Sequence, residues 1–154
     1  MLDITIITVG ELKEPFIKEG CDLYRQRLKP YARLRFQTVQ PESFTPNNQS
    51  PAKKKEGEKL IKKLSKYSPD SVYLLTEMGK LFDSLQWADN VLRSDQPMIF
   101  VIGGPLGLDE QLLRIYPNKL SLSPLTFTHE LAQLLLLEQI YRGISIGGGK
   151  KYHY

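Results

Sequence analysis

The chain has 154 residues, 41% of them apolar and 25% charged, enough for one domain with a hydrophobic core and an ordinary globular balance. Its single cysteine rules out an intrachain disulfide, and no apolar run reaches the roughly 20 residues that span a bilayer, so a reducing, cytoplasmic setting is the simplest expectation. The formal charge of +4 suits an anionic partner without requiring one.

Leu2–Val9 is β-branched and apolar and reads as a buried strand. Asp3 and the lack of a positive leader argue against a signal peptide. Glu14-Pro15 opens a helix that places Phe16, Ile17, Cys21, Tyr24 and Leu28 on one face and stops at Pro30. Leu34–Val39 alternates as a second strand, followed by the polar, proline-rich loop QPESFTPNNQSP. Ser50 then caps a helix with Pro51 at its first position and a core stripe of Leu60, Ile61, Leu64 and Tyr67. Seven lysines between Lys53 and Lys66 cover much of the rest. They form either a solvated face or a phosphate-contacting one.

Ser71–Thr76 reads as the next strand, Gly79-Lys80 as a turn, and Ser84 as the cap of a helix carrying Leu85, Trp87, Ala88, Val91 and Leu92. PMIFVIGG is another buried strand, Asp109 caps a short helix, and Lys119–Ser123 is a last short strand. Thr128 caps a long helix that ends near Gly143. No repeat or second domain is visible, so residues 1–154 are expected to form a single domain. Strand–helix alternation predicts an α/β fold with a mainly parallel sheet, which binds ligands beyond the carboxyl ends of its strands.

The stretch VIGGPLGLDEQ carries Gly103, Gly104 and Gly107 directly after a strand. Its spacing fits neither the dinucleotide fingerprint nor a P-loop, and no lysine or arginine lies between Gly103 and Gln111. It is either a tight strand exit with φ values other residues avoid, or a wall that brings backbone close to a ligand poor in phosphate. His129, His153 and Cys21 have no zinc spacing, G-x-S-x-G is absent, and Cys21 sits on a core face. Neither a metal nor a covalent nucleophile is therefore expected. SLSPLTFTHE, Ser121–Glu130, is a strand end, proline turn and helix start with backbone N–H groups free to meet a ligand. His129 is either a plain polar residue of that helix start or a substrate contact. Glu138 and Arg142 are spaced as an i,i+4 pair. In the tail GGGKKYHY, Tyr152, His153 and Tyr154 suit stacking on a base or a docked aromatic plug.

The stretches FVIGGPLGL, LSLSPLTFTHELAQLLLLEQIYRGISI and the closing YH, with ITVG, KKKEGEKL and GKLFDS earlier, resemble the RlmH (YbeA) family of small ribosomal RNA large subunit methyltransferases of the SPOUT superfamily. The likeness spans nearly the whole chain. It implies a parallel α/β sheet with helices on both faces and a C-terminal deep trefoil knot that forms an S-adenosylmethionine pocket. The implied cofactor residues are Leu75, Gly103, Gly104, Leu122, Ser123, Pro124, Leu125, Thr126 and Phe127. The implied reaction is direct methyl transfer to N3 of a pseudouridine in large-subunit (23S) ribosomal RNA, by a homodimer acting on the ribosome, with no membrane and no metal involved. The RNA side would use Arg142, Tyr152 and His129, with His153 as the general base and His129 as the second choice. Leu131 and Leu134–Leu137 exceed one buried stripe and fit a dimer interface. The chain departs from the family pattern at Gln133, where arginine is common, at Gly143, where alanine is usual, and at Lys151 and Tyr154 around the closing Tyr-His. Two other readings are a noncatalytic ribosome- or RNA-binding protein using the Lys53–Lys66 helix, and a different nucleotide-using enzyme built on the glycine loop.

Overall fold

A computed structural model describes residues 1–92 and 95–148. The elements in order are β1 (Leu2–Val9), α1 (Pro15–Leu28), β2 (Ala32–Val39), α2 (Gln49–Leu64), a 3-10 turn (Pro69–Ser71), β3 (Val72–Leu81), α3 (Ser84–Asn90), β4 (Met98–Ile102), α4 (Glu110–Ile115), β5 (Asn118–Ser121) and α5 (His129–Gly147). The five strands form one all-parallel sheet in the order β2-β1-β4-β3-β5.

Alternation along the central strands assigns side chains to two cores. Ile4 and Ile6 of β1 and Met98, Phe100 and Ile102 of β4 join Ile17, Cys21 and Leu28 of α1, Trp87 of α3 and Leu136, Leu137 and Ile140 of α5. Ile7, Val9, Ile99 and Val101 point the other way, to Leu60 and Leu64 of α2 and Leu112 of α4. Both sides of β1 and β4 are thus buried, which is why their sequences are continuous apolar runs rather than alternating ones. Helices cover both faces, with α1, α3 and α5 on one and α2 and α4 on the other.

Several local expectations change. Phe16 is not in the core; it is 66% exposed, while its neighbour Ile17 is 1% exposed. Gly79-Lys80 is not a turn: β3 continues to Leu81, and its pairing with β5 shifts register between Leu75 and Lys80. A Cβ on Gly79 would lie 2.5 Å from the Leu120 backbone, so the glycine permits the close approach of β5. The cap of α3 is Asp83, which accepts from the Gln86 N–H while Gln86 returns a bond to the Asp83 N–H. That reciprocal capping box outcompetes Ser84. Ser50 lies inside α2, which starts at Gln49 and has no side-chain cap. β5 ends at Ser121, and α5 runs past Gly143 to Gly147 because α1 and α3 support it along its length.

Candidate active site

A cavity of about 950 Å3 opens where the pairing of β3 with β4 ends, at Leu75 and Ile102, and where the chain leaves β5 at Leu122. This is the carboxyl edge of the sheet, where open parallel sheets bind ligands.

One wall is the loop after β4. Gly103 and Gly104 line the cavity with Pro105 and Gly107. The Gly107 N–H donates to the Gly104 carbonyl at 2.9 Å, closing a tight turn. The left-handed backbone belongs to Gly107, at φ +77°, not to Gly103 or Gly104. Those two are glycines for space: a Cβ on Gly103 would lie 3.0 Å from the Gly107 carbonyl carbon, and one on Gly104 would lie 3.2 Å from Val9 Cγ1. The loop rests on α2, where a Cβ on Gly57 would meet Asp109 Cβ at 2.7 Å.

The other wall is the segment between β5 and α5. The Ser121 hydroxyl donates to the Ser123 carbonyl at 2.9 Å, and the Ser123 hydroxyl accepts from the Leu125 N–H at 3.0 Å. Leu122, Ser123, Leu125, Thr126 and Phe127 line the cavity; Pro124 does not. Thr128 caps α5 by accepting from the Leu131 N–H at 3.3 Å. Leu75, Gly103, Gly104 and five of the six residues Leu122–Phe127 are thereby brought together, although β3, β4 and β5 supply them separately.

The first turns of α1 and α5 complete the cavity. Glu130 accepts from the Glu14 N–H at 3.0 Å and from the Lys13 N–H, pinning the start of α1 to the start of α5. Partial burial acts to raise its carboxyl, but the two N–H donors and the nearby His129 and Lys13 outweigh this and hold it below the usual range. Glu14, Glu77 and Glu130 all line the cavity, and no lysine or arginine does among the described residues. This lining suits a ligand carrying positive charge over one carrying phosphate. Composition and loop patterns carried no signal for these carboxylates or for Phe16, which also lines the cavity.

Of the two described residues expected to contact RNA, one lines the cavity and one does not. His129 lies on the cavity wall with the expected cofactor residues. Arg142 is farther along α5, bound through Nε and Nη2 to Glu138 Oε1 at 3.1 and 2.7 Å, and does not line the cavity. Tyr152, His153, Lys151 and Tyr154 lie outside the described residues. Part of the leucine surplus of α5 is used within the single chain. Leu136 and Leu137 are buried in the core and the half-buried Leu131 and Leu134 pack against it, because α5 packs against both α1 and α3 and so needs a wide apolar face. Of that run only Leu135 stands apart from the core.

Gly143 has a local cause: a Cβ there would meet Leu92 at 2.4 Å and Trp87 at 2.9 Å. Trp87 is fixed by its indole N–H, which donates to the Gln139 carbonyl at 2.8 Å. Gln133 is buried and lines a second, smaller cavity beside Arg25 and Phe36. Burial pushes the Cys21 thiol up to about 11, more than the Arg25 charge offsets, so it is a protonated core group at neutral pH. The described residues hold no group of three or more His, Cys, Asp or Glu placed to bind a metal, and no helix among them is long and apolar enough to cross a membrane.

Over residues 2–153 the sequence matches the family model described as "Predicted SPOUT methyltransferase". The chain belongs to the SPOUT methyltransferase family. Proteins named ribosomal RNA large subunit methyltransferase H are similar along almost their full length. The one from Symbiobacterium thermophilum is 40% identical, covering 97% of this chain and 98% of its own. That from Alkaliphilus oremlandii is 41% identical, with 99% of each chain covered. Among solved structures, TrmJ from Z. mobilis aligns with a TM-score of 0.54 at 13% identity, over 93% of this chain and 70% of its own. A Legionella pneumophila protein solved with bound SAM aligns at 0.51 and 12% identity, over 93% of this chain and 66% of its own. At such identities these likenesses establish a shared fold alone.

Proposed function

We propose that this SPOUT methyltransferase transfers a methyl group from S-adenosylmethionine to large-subunit ribosomal RNA, with N3 of a pseudouridine as the acceptor. The observation that carries the reading is the cavity at the carboxyl edge. It has a glycine wall shaped by a tight hydrogen-bonded turn, a second wall with exposed polar and apolar side chains, and carboxylates with no basic side chain among the described lining residues. A cationic sulfonium nucleoside fits that lining, whereas a phosphate-rich cofactor does not. The relatives named as large-subunit methyltransferases supply the RNA class.

In this reading Leu75, Gly103, Gly104, Leu122, Ser123, Leu125, Thr126 and Phe127 hold the cofactor, with Pro124 in the same segment but off the cavity wall, as one cofactor-binding unit in a single domain spanning residues 1–154. S-adenosylmethionine bound there would supply an electrophilic methyl group for direct displacement by the base nitrogen, with S-adenosylhomocysteine as the leaving group. The protein's share is to hold the nitrogen in near-attack geometry and to accept the N3 proton. His153 is the proposed acceptor. His129, the imidazole on the described cavity wall, is the second, and separate His153→Ala and His129→Ala variants assayed across pH distinguish them. Arg142 and Tyr152 bind RNA, and Arg142 requires release from Glu138 to do so. We further propose that the C-terminal segment forms a deep trefoil knot, and that the enzyme works as a homodimer on the ribosome in the cytoplasm.

The test is incubation of the full chain with methyl-labelled S-adenosylmethionine and unmethylated large ribosomal subunits or whole ribosomes, followed by nucleoside mass spectrometry. Label in N3-methylpseudouridine is the expected result. No transfer to either substrate would overturn the reading. The noncatalytic alternative retains one structural support: Lys54, Lys55 and Lys62 of α2, and Lys66 just beyond it, are exposed. Lys59, however, is committed to Glu42 at 2.7 Å and to the Gln40 carbonyl at 2.9 Å. A pure binder would show RNA affinity and no S-adenosylmethionine affinity by calorimetry.

A further inference from the structure

The first turn of α1 carries a side chain that the fold does not use. Phe16 is 66% exposed, although its helix neighbours Ile17, Cys21 and Leu28 are fully in the core. Leaving a large aromatic ring in water forgoes much of the stabilisation its burial would give. The exposure is not that of a loose terminus. Pro15 sets the first helical position, and Glu130 binds the backbone N–H groups of Lys13 and Glu14. The corner that presents Phe16 is thus fastened to the first turn of α5, beside His129. Phe16 lines the large cavity, and so does Leu125 of the other wall, which is 72% exposed. The mouth therefore has two exposed apolar side chains on anchored backbone. The cavity's titratable lining is Glu14, Glu77, His129 and Glu130, with no described lysine or arginine to receive a phosphate.

We infer that Phe16 is the stacking platform for the unpaired target base as it enters the cavity, with Leu125 providing apolar contact from the β5–α5 segment. This rests on the proposed RNA methyltransferase activity and names the residue that would orient the acceptor. An RNA base outside its helix offers a π-face and little charge, and enzymes that act on such bases hold them between aromatic and apolar side chains. The carboxylates that disfavour a phosphate leave the base as the part of the RNA that enters here. Backbone phosphates are bound elsewhere.

The experiment compares the wild-type chain with Phe16→Ala and Phe16→Trp. It measures methyl transfer to unmethylated large ribosomal subunits, S-adenosylmethionine affinity by calorimetry, oligomeric state by light scattering, and Tm. Phe16→Ala is expected to lower kcat/KM for RNA roughly 5- to 100-fold, the range for losing one base–aromatic stack, while cofactor Kd, oligomeric state and Tm stay unchanged. Phe16→Trp is expected to restore transfer, and its exposed indole to be quenched when RNA binds. Transfer by Phe16→Ala within two-fold of wild type would overturn the inference. A changed cofactor Kd would also overturn it, assigning the ring to the cofactor, and a changed oligomeric state would assign it to a contact between copies. An inactive wild-type chain would instead overturn the activity on which the inference rests.

Discussion

The two walls of the cavity are built in opposite ways. The Gly103–Gly107 wall is held by backbone: a hydrogen-bonded turn, a left-handed Gly107, and two positions where a Cβ meets neighbouring atoms at 3.0 to 3.2 Å. The Leu122–Phe127 wall is held by side chains, through two serine hydroxyls and the Thr128 cap, and it exposes Leu125 and Thr126. A rigid wall offers shape, and a wall with exposed groups offers hydrogen bonds and apolar contact to whatever enters. The difference predicts that substitutions in the first wall act sterically and strongly, whereas those in the second act through single hydrogen bonds.

The largest effect is expected beneath the second wall. Gly79→Ala forces a Cβ to within 2.5 to 2.7 Å of the Lys119–Leu120 backbone, and backbone in a paired strand has little room to move. Urea unfolding should show a loss of about 3 kcal/mol; a loss within about 0.5 kcal/mol would mean that β5 is free to shift. In the first wall, Gly103→Ala should weaken S-adenosylmethionine about ten-fold or more by calorimetry, with a smaller change in stability, because the Cβ meets the turn that shapes the cavity.

The clamp between α1 and α5 comes next. Glu130→Ala removes the acceptor of two backbone N–H groups at a partly exposed site, at a cost of about 1 kcal/mol at pH 7. Because the folded protein holds the Glu130 carboxyl below its ordinary value of 4.5, this stabilisation is present above that pH and is lost as pH falls through the folded value. The stability gap between wild type and Glu130→Ala should therefore narrow from pH 6 towards pH 3. A gap constant with pH would show that the clamp is not electrostatic. The smallest effect belongs to Ser123→Ala, which removes the acceptor for the Leu125 N–H. A roughly three-fold loss of cofactor affinity is expected, typical of one partly solvated hydrogen bond. An effect as large as that of Gly103→Ala would erase the contrast between the walls.

Much of this architecture is legible in the sequence. The continuous apolar runs of β1 and β4, the caps Asp109 and Thr128, and the loops after β4 and β5 follow from local pattern, because a strand buried on both faces and a helix start each leave a local trace. Gly79 misleads because Gly-Lys reads as a turn, whereas its purpose is the approach of β5 some forty residues later. Phe16 and Ile17 are both apolar on one helix, and only the packed structure separates a core residue from one at the cavity mouth. The carboxylates escape notice for the same reason. Glu14 precedes α1, Glu77 stands on β3 and Glu130 on α5, and nothing local announces that they share one cavity.

The central claim, that these two walls enclose the methyl donor, is tested most directly by a crystal structure of the full chain with S-adenosylmethionine. The predicted result is the nucleoside between Gly103–Gly107 and Leu122–Phe127, with its sulfonium on the carboxylate side. A ligand bound elsewhere, or an empty cavity at saturating cofactor, would contradict it.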